Sequence, residues 1–218
     1  MSGHTFEVDA VLFDMDGTLV DSRAIVERMW LIWAAQHNLD PKAILAVAHG
    51  RRTLETMQLV APELATLDEA ARLDALEEQQ DGGETPVPGA GDLLLALPAH
   101  RWAVVTSAPS PLARRRIGGV GLPIPSVLVG AYDVKTGKPD PEGYLSAARQ
   151  LGVDPARTIV FEDTPAGVAA GRAAGARVVG MTTTHRTLDQ CDALVGDLKG
   201  IRVETGPDGT TIRLMVPA

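Results

Sequence analysis

The sequence has few of the features that tie a protein to an oxidising compartment, a membrane or a nucleic acid. Its single cysteine, Cys191, cannot form an intramolecular disulfide, and no apolar run approaches the roughly 20 residues that span a bilayer. The formal net charge is -8, so the main partner is expected to be neither a nucleic acid nor an anionic membrane surface. Residues 1–5 lack the basic and apolar segments of a signal peptide, and the cytoplasm is the expected location.

What the chain does contain is a regular alternation of short β-rich runs and helical patterns. With 218 residues and 45% hydrophobic content it can bury a sizeable core. The alternation predicts an α/β fold with a parallel sheet and crossover helices. The strand candidates are Val8–Asp14, Trp102–Thr106, Val127–Val129, Thr158–Glu162, Arg177–Met181 and Ala193–Val195.

The long stretch between the first two strand candidates has helical spacing and no strand signal. Ser22 is a candidate N-cap, and apolar residues recur at helical spacing as far as Leu76. Residues 81–89 are rich in glycine and proline and predict a return hinge. We therefore expect a helical insert at about residues 20–86, with residues 1–19 and 87–218 forming the core. A β-hairpin is expected at the end of the chain, because Ile201–Glu204 and Thr210–Leu214 flank the turn sequence 206–209.

The most informative segment is the apolar run that ends in Asp14, Asp16 and Gly17. Residues at i and i+2 of an extended segment point the same way, so the two carboxylates could face one small volume where glycine lets the backbone turn. Converging carboxylates repel unless a cation lies between them, and a hard divalent ion such as Mg²⁺ suits oxygen ligands. The alternative is that both acids merely end a strand and begin a turn.

Three further segments place polar groups at or just beyond the ends of predicted strands, where open α/β sheets bind ligands. Thr106 and Ser107 could bind phosphate oxygens, or could be an ordinary helix cap. Lys138 follows a glycine and precedes a proline, although most lysines are solvated surface charges. Glu162 and Asp163 end another apolar strand, and buried strand ends rarely gather unpaired acids. Asp163 could complete a metal shell with Asp14, while Glu162 could orient the metal's water ligands or the lysine.

Taken in order, these four motifs resemble those of the haloacid dehalogenase superfamily of phosphatases and phosphomutases. The similarity extends over nearly the whole chain to about His185, and the helical insert is similar to the family's cap. The resemblance implies a Rossmann-like core with the first strand central and a cap that opens and closes over the site.

The resemblance also implies roles for the motif residues. Asp14 would be the nucleophile that forms an aspartyl-phosphate, and Asp16 the general acid and base, with its backbone carbonyl on Mg²⁺. Thr106 and the Ser107 backbone would hold phosphate oxygens, Lys138 would stabilise the transferring group, and Asp163 would supply a further metal carboxylate. Glu162 is also expected to belong to the acids of the metal site.

The alcohol is expected to be chosen by the cap, where His49, Arg51 and Arg52 surround a glycine. The alternative for this segment is a helix connection with solvated arginines. The chain looks most like the branch that hydrolyses small sugar and polyol phosphates. A β-phosphoglucomutase-like activity is the nearest alternative, although those mutases place a histidine in the first cap helix and residues 23–27 contain none.

A non-catalytic module that binds a phosphometabolite is a second alternative, which the intact set of motif residues disfavours. The expected partner is a small phosphorylated metabolite, and the expected assembly is a monomer or a weak homodimer.

Overall fold

The computed structural model describes residues 3–79, 82–207 and 209–217. The positions within the predicted ranges that lie outside these residues are Met1, Ser2, Gln80, Asp81, Asp208 and Ala218.

Strands and helices alternate along most of the chain, as the sequence predicts. The strands are β1 (His4–Val8), β2 (Ala10–Phe13), β3 (Val20–Asp21), β4 (Thr85–Pro86), β5 (Trp102–Val105), β6 (Val127–Val129), β7 (Thr158–Glu162), β8 (Arg177–Met181), β9 (Ala193–Val195), β10 (Arg202–Thr205) and β11 (Ile212–Val216). The α-helices are α1 (Arg23–His37), α2 (Pro41–Ala48), α3 (Thr53–Val60), α4 (Leu67–Glu78), α5 (Ala90–Ala96), α6 (Ser110–Gly119), α7 (Glu142–Leu151) and α8 (Pro165–Ala173).

A six-stranded parallel sheet forms the centre of the fold, in the order β6-β5-β2-β7-β8-β9. The α/β prediction is confirmed, and β2 lies centrally between β5 and β7. Because all six strands run the same way, their carboxyl ends meet at one edge. The residues that follow β2, β5 and β7 are therefore brought together at that edge.

Alternate residues of the central strands pack on opposite faces of the sheet, as the strand geometry requires. Val11 and Phe13 of β2 belong to a cluster that includes side chains of α5 and α6. Leu12, between them, belongs to a second cluster with Tyr144 of α7 and Val168 of α8. Helices therefore cover both faces, which explains why these strands are almost continuously apolar.

The first predicted strand is divided at Asp9. β1 pairs antiparallel with β11, whereas β2 pairs parallel with β5 and β7. The Asp9 carboxylate pairs with Arg157 at 2.7 Å, and its backbone N–H donates to the Arg157 carbonyl. The apolar pattern could not show this division, because Val8 and Ala10 are both buried.

The predicted C-terminal hairpin is confirmed, with an addition that the sequence did not reveal. β10 and β11 pair antiparallel, and β1 joins the other side of β11 to make a three-stranded sheet. Ile212, Leu214 and Val216 bury their side chains in the cluster on the α5 and α6 face of the central sheet.

Helices α1 to α4 occupy the stretch in which the sequence predicted a helical insert. Their apolar side chains form a separate cluster around Trp33, Met57 and Leu73. The segments that lead into and out of these helices lie side by side, because β3 pairs antiparallel with β4. None of the helices in the described part of the chain has the length and apolar character of a membrane span.

Candidate active site

The loop after β2 places the first two acids at the carboxyl edge of the sheet. The Met15 carbonyl accepts hydrogen bonds from the backbone N–H groups of residues 18, 19 and 20, which closes a tight turn. Gly17 in this turn has φ +83°, and an added Cβ would lie only 2.0 Å from Asp163 Oδ2. Glycine is therefore required both by the backbone conformation and by the close approach of the third acid.

Lys138 reaches from the loop before α7 into the centre of this acidic group. Its Nζ donates to Asp14 Oδ1, to Glu162 Oε1 at 2.5 Å and to the Val105 carbonyl at 3.2 Å. The lysine side chain is only 5% exposed, so this is a buried, fully paired ammonium and not the solvated surface charge of the alternative interpretation. It links the carboxyl ends of β2, β5 and β7, which are far apart in the sequence.

Glu162 holds the lysine and the following turn. Its Oε1 accepts from the Tyr144 hydroxyl at 3.0 Å as well as from Lys138. Its Oε2 accepts from the backbone N–H groups of Asp163 and Thr164, at 2.9 and 3.1 Å, and from the Thr164 hydroxyl. Of the two roles that the sequence left open, these contacts favour orientation of the lysine, because both oxygens are already engaged.

Asp163 has the character expected of a metal ligand. Oxygen atoms of Asp14, Glu162 and Asp163 lie within 4.8 Å of one another. Asp163 Oδ1 is buried and has no hydrogen-bond partner among the described residues. A buried carboxylate oxygen without a partner is costly, and a divalent cation with oxygen ligands fits this group of atoms.

The electrostatics of the group favour added positive charge. Burial raises the pKa of Asp14 from 3.8 to about 8, against the attraction of Lys138. Burial and the neighbouring Asp14 raise the pKa of Asp163 well above its usual value. Burial alone would lower the pKa of Lys138, but Asp14 and Glu162 raise it. One ammonium does not balance three buried carboxylates, so the acids favour protons or a cation.

Thr106 and Ser107 lie beside these groups, just beyond β5. The Thr106 Oγ1 accepts from the Ala108 backbone N–H at 3.1 Å, so its own proton remains available for donation. The Ser107 hydroxyl donates to the Gly50 carbonyl, between α2 and α3, at 2.9 Å. Both residues line the cleft that also contains Asp14 and Asp16.

Asp16 is held by two residues whose part in the site sequence reasoning missed. The Ser22 hydroxyl donates to Asp16 Oδ1 at 2.5 Å, and Arg116 Nη1 donates to the same oxygen at 2.9 Å. Ser22 occupies the predicted N-cap position of α1, but its side chain makes no capping hydrogen bond. Its hydroxyl is used by Asp16 instead.

The three residues proposed for selectivity divide between two cavities. His49 and Arg51 line the cleft above Asp14 and Asp16, and burial lowers the pKa of His49. Arg52 instead lines a second, smaller cavity beside Lys138. Its guanidinium pairs with Glu55 and donates to the carbonyls of residues 131, 134 and 135. Arg52 thus ties the helical segment to the core, because its donors are taken by protein groups.

The cleft has one wall from the helices α1 to α4 and the segments around them, and one from the sheet edge. Val26, Met29 and Trp30 of α1 contribute an apolar side, and Arg51, Glu77 and Arg116 contribute charged groups. Such a cleft can bury an anionic group beside Asp14 and leave a polar, partly apolar space for the remainder of a small molecule.

Comparisons with known proteins agree with this geometry. Residues 8–175 match the family model described as haloacid dehalogenase-like hydrolase. Hexitol phosphatase A of Escherichia coli is 41% identical over 208 residues, covering 92% of this chain and 96% of that protein. Glycerol-1-phosphate phosphohydrolase 2 of Saccharomyces cerevisiae is 36% identical, covering 91% and 86%. The β-phosphoglucomutase of Clostridium difficile has a similar fold, with a TM-score of 0.74 at 21% identity and coverage of 89% and 93%.

Proposed function

Because the chain belongs to the haloacid dehalogenase-like hydrolase family, we propose that it hydrolyses a small sugar or polyol phosphate monoester through a phosphorylated Asp14, with Mg²⁺ as cofactor. The observation that carries this proposal is the buried contact of Lys138 with Asp14 and Glu162. Asp14 and Asp163 line the cleft, and Lys138 lines the neighbouring cavity, which shares Thr106 and Ser107 with the cleft. An anion-binding ammonium and a nucleophilic carboxylate are thereby adjacent. We further propose that residues 20–86 act as the cap.

The first chemical step is attack by a carboxylate oxygen of Asp14 on phosphorus. The new bond joins Asp14 to the phosphoryl group, and the bond from phosphorus to the alcohol oxygen breaks. Lys138 lies against the attacking carboxylate and stabilises charge on the transferring group. The Thr106 hydroxyl and the backbone of Ser107 hold the other phosphoryl oxygens.

Asp16 transfers the protons. It donates a proton to the departing alkoxide, and in the second step it accepts a proton from the water that attacks the phosphorylated Asp14. That attack breaks the bond between Asp14 and phosphorus, releases inorganic phosphate and restores both carboxyl groups. The position of Asp16 on the cleft wall, with 29% of its side chain exposed, suits contact with both the alcohol and the water.

The cation would be held by Asp14, Asp163 and the backbone carbonyl of Asp16. When bound, it supplies charge that offsets the repulsion between an anionic nucleophile and an anionic phosphate. We assign Glu162 to the lysine and not to the cation, because Lys138, Tyr144 and the 163–164 turn use its oxygens. His49 and Arg51 are proposed to contact the alcohol portion of the ester.

A panel of phosphorylated sugars and polyols, assayed for phosphate release with Mg²⁺, tests the proposal. We expect turnover of several members of the panel and none by Asp14→Asn. Conversion of one sugar phosphate isomer into another in the presence of a bisphosphate, without net phosphate release, would instead indicate a phosphomutase. Binding of the esters without turnover would indicate a non-catalytic module.

A further inference from the structure

A single arginine lies between the proposed general acid and the helical segment. Arg116 of α6 has a side chain that is 1% exposed, and it contacts three carboxylates from three separate parts of the chain. Nη1 is 2.9 Å from Asp16 Oδ1, and Nη2 is 2.5 Å from Glu77 Oε1 on α4. Nε is 3.6 Å from Glu84 Oε1, on the segment that returns from the helices to the core.

The third of these contacts is incomplete. Arg116 Nε and Glu84 Oε1 are both buried and have no hydrogen-bond partner in the described part of the chain. The gap of 3.6 Å between them slightly exceeds a hydrogen-bond length. A small movement of the returning segment toward α6 would therefore satisfy both atoms at once. Each nitrogen of the Arg116 guanidinium would then have a carboxylate partner, with Nη1 on Asp16 and Nη2 and Nε on Glu77 and Glu84.

The charges also indicate that the Arg116 guanidinium balances the carboxylates around it. Burial alone would lower its pKa, but the carboxylates of Asp16 and Glu77 raise it, so it remains charged. Burial raises the pKa of Glu77 in spite of the guanidinium beside it. Removing the arginine would leave three carboxylates facing one another without a counter-charge. α6 and α4 also meet at a second point, where Arg115 donates to the Glu77 carbonyl.

We propose that Arg116 is a positioning residue that orients Asp16 toward the leaving alcohol and makes this orientation depend on how Glu77 and Glu84 are seated. The proposal rests on the phosphatase function proposed above. We assign Arg116 to Asp16 and not to the phosphoryl group, because Nη1 donates to Asp16 and Nη2 donates to Glu77. Its effect is on the group that protonates the departing oxygen.

A specific kinetic signature follows from this role. An alkyl ester such as glycerol phosphate has a poor leaving group and needs a proton from Asp16. The leaving group of p-nitrophenyl phosphate is a stable anion and needs almost none. Because kcat/KM reports the steps up to transfer of the phosphoryl group to Asp14, misplacement of Asp16 should lower kcat/KM for the alkyl ester far more than for the aryl ester.

The test compares the two esters in Arg116→Gln, Arg116→Lys, Glu77→Gln and the control Arg114→Gln, all with Mg²⁺ and with circular dichroism melting curves as a check on folding. Arg114 is on the same helix and is exposed. We expect Arg116→Gln to lower kcat/KM for the alkyl ester by about 100-fold and for the aryl ester by less than about threefold. Arg116→Lys retains the charge without the fork and should lose about tenfold, selectively. Glu77→Gln should also lower kcat/KM mainly for the alkyl ester, but by a smaller factor. Arg114→Gln should leave kcat/KM unchanged for both esters.

The outcomes distinguish a failure of the positioning role from a failure of the proposed function. Equal losses on both esters in Arg116→Lys and Glu77→Gln, or no loss on either, would overturn the positioning role. If Arg116→Gln does not fold, those two variants decide the matter. If the unaltered protein releases phosphate from no ester of the panel, the proposed function fails and the inference fails with it. Phosphate release with an unchanged ratio of the two esters overturns the inference alone.

Discussion

Replacing Asp14 by asparagine should abolish phosphate release and, in the metal-free protein, raise the free energy of unfolding at neutral pH. Burial raises the pKa of this carboxyl from 3.8 to about 8. Between these pH values the folded protein therefore binds more protons than the unfolded chain, and stability falls as pH rises. Complete linkage would cost about 4 kcal/mol at pH 7. Asparagine avoids this cost but pairs less well with Lys138, so we expect a net gain of about 1–3 kcal/mol.

Urea denaturation in the presence of a chelator measures the effect. The stability of the variant relative to the unaltered protein should be greatest near pH 8. It should shrink toward pH 4, where the folded Asp14 and a growing share of the unfolded chain's Asp14 carry a proton. Below the unfolded pKa no benefit should remain, because both states are protonated. A variant that is no more stable than the unaltered protein at pH 8, or whose advantage does not change with pH, would refute the reasoning.

Three other predictions concern separate parts of the molecule. Hydrogen bonds from Arg72 hold the pKa of Glu69 at about 2. The stability that the ionised Glu69 carboxylate contributes is therefore present above the unfolded pKa of 4.5 and is lost as pH falls toward 2. Measured by urea denaturation, Glu69→Gln should lower the free energy of unfolding by about 1 kcal/mol or less at pH 7 and by nothing near pH 2. A chelator should abolish turnover and Mg²⁺ restore it, and Asp163→Asn should need about tenfold more Mg²⁺ for half-maximal activity if this acid is a ligand. Arg51→Ala should change the order of preferred esters in the panel, whereas Arg52→Ala should slow all esters alike; the reverse pattern would contradict the assignment of the two arginines to different cavities.

The central sheet could be predicted well because its strands carry a strong local signal. Five of the six predicted strands have the observed bounds to within one residue, including β7 and β8, since each is a short apolar run flanked by turn residues. The exception is the division at Asp9. An antiparallel strand and a parallel strand follow one another there with buried apolar residues on both sides, so the pattern continues although the pairing partners change.

The floor of the site could also be predicted, because parallel strands bring their carboxyl ends to one edge. That geometry unites Asp14, Thr106 and Asp163 without any knowledge of the loops. It did not show how Glu162 divides its oxygens between Lys138 and the 163–164 turn, since this depends on the position of Tyr144 on α7. A sequence gives the residue types at an edge more readily than their hydrogen-bond partners.

The contacts between the helical segment and the core could not be predicted in the same way. Arg116 is the last of three consecutive arginines on α6, a pattern typical of a solvated helix face, and its partner Glu77 lies 39 residues earlier on another helix. Only the contacts of its side chain with Asp16, Glu77 and Glu84 show that this arginine is buried. The partners of Arg52 could not be predicted for a similar reason, because the carbonyls that bind it belong to a loop more than 70 residues away.

Trapping the phosphorylated protein is the sharpest test of Asp14 as the nucleophile. The enzyme would be mixed with its best ester and Mg²⁺, quenched in acid and digested, and the peptides analysed by mass spectrometry. We expect the added mass of one phosphoryl group on the peptide that contains Asp14, and no added mass on the corresponding peptide of Asp14→Asn. Phosphate release by that variant at the unaltered rate, or a phosphoryl group found only on another residue, would contradict it.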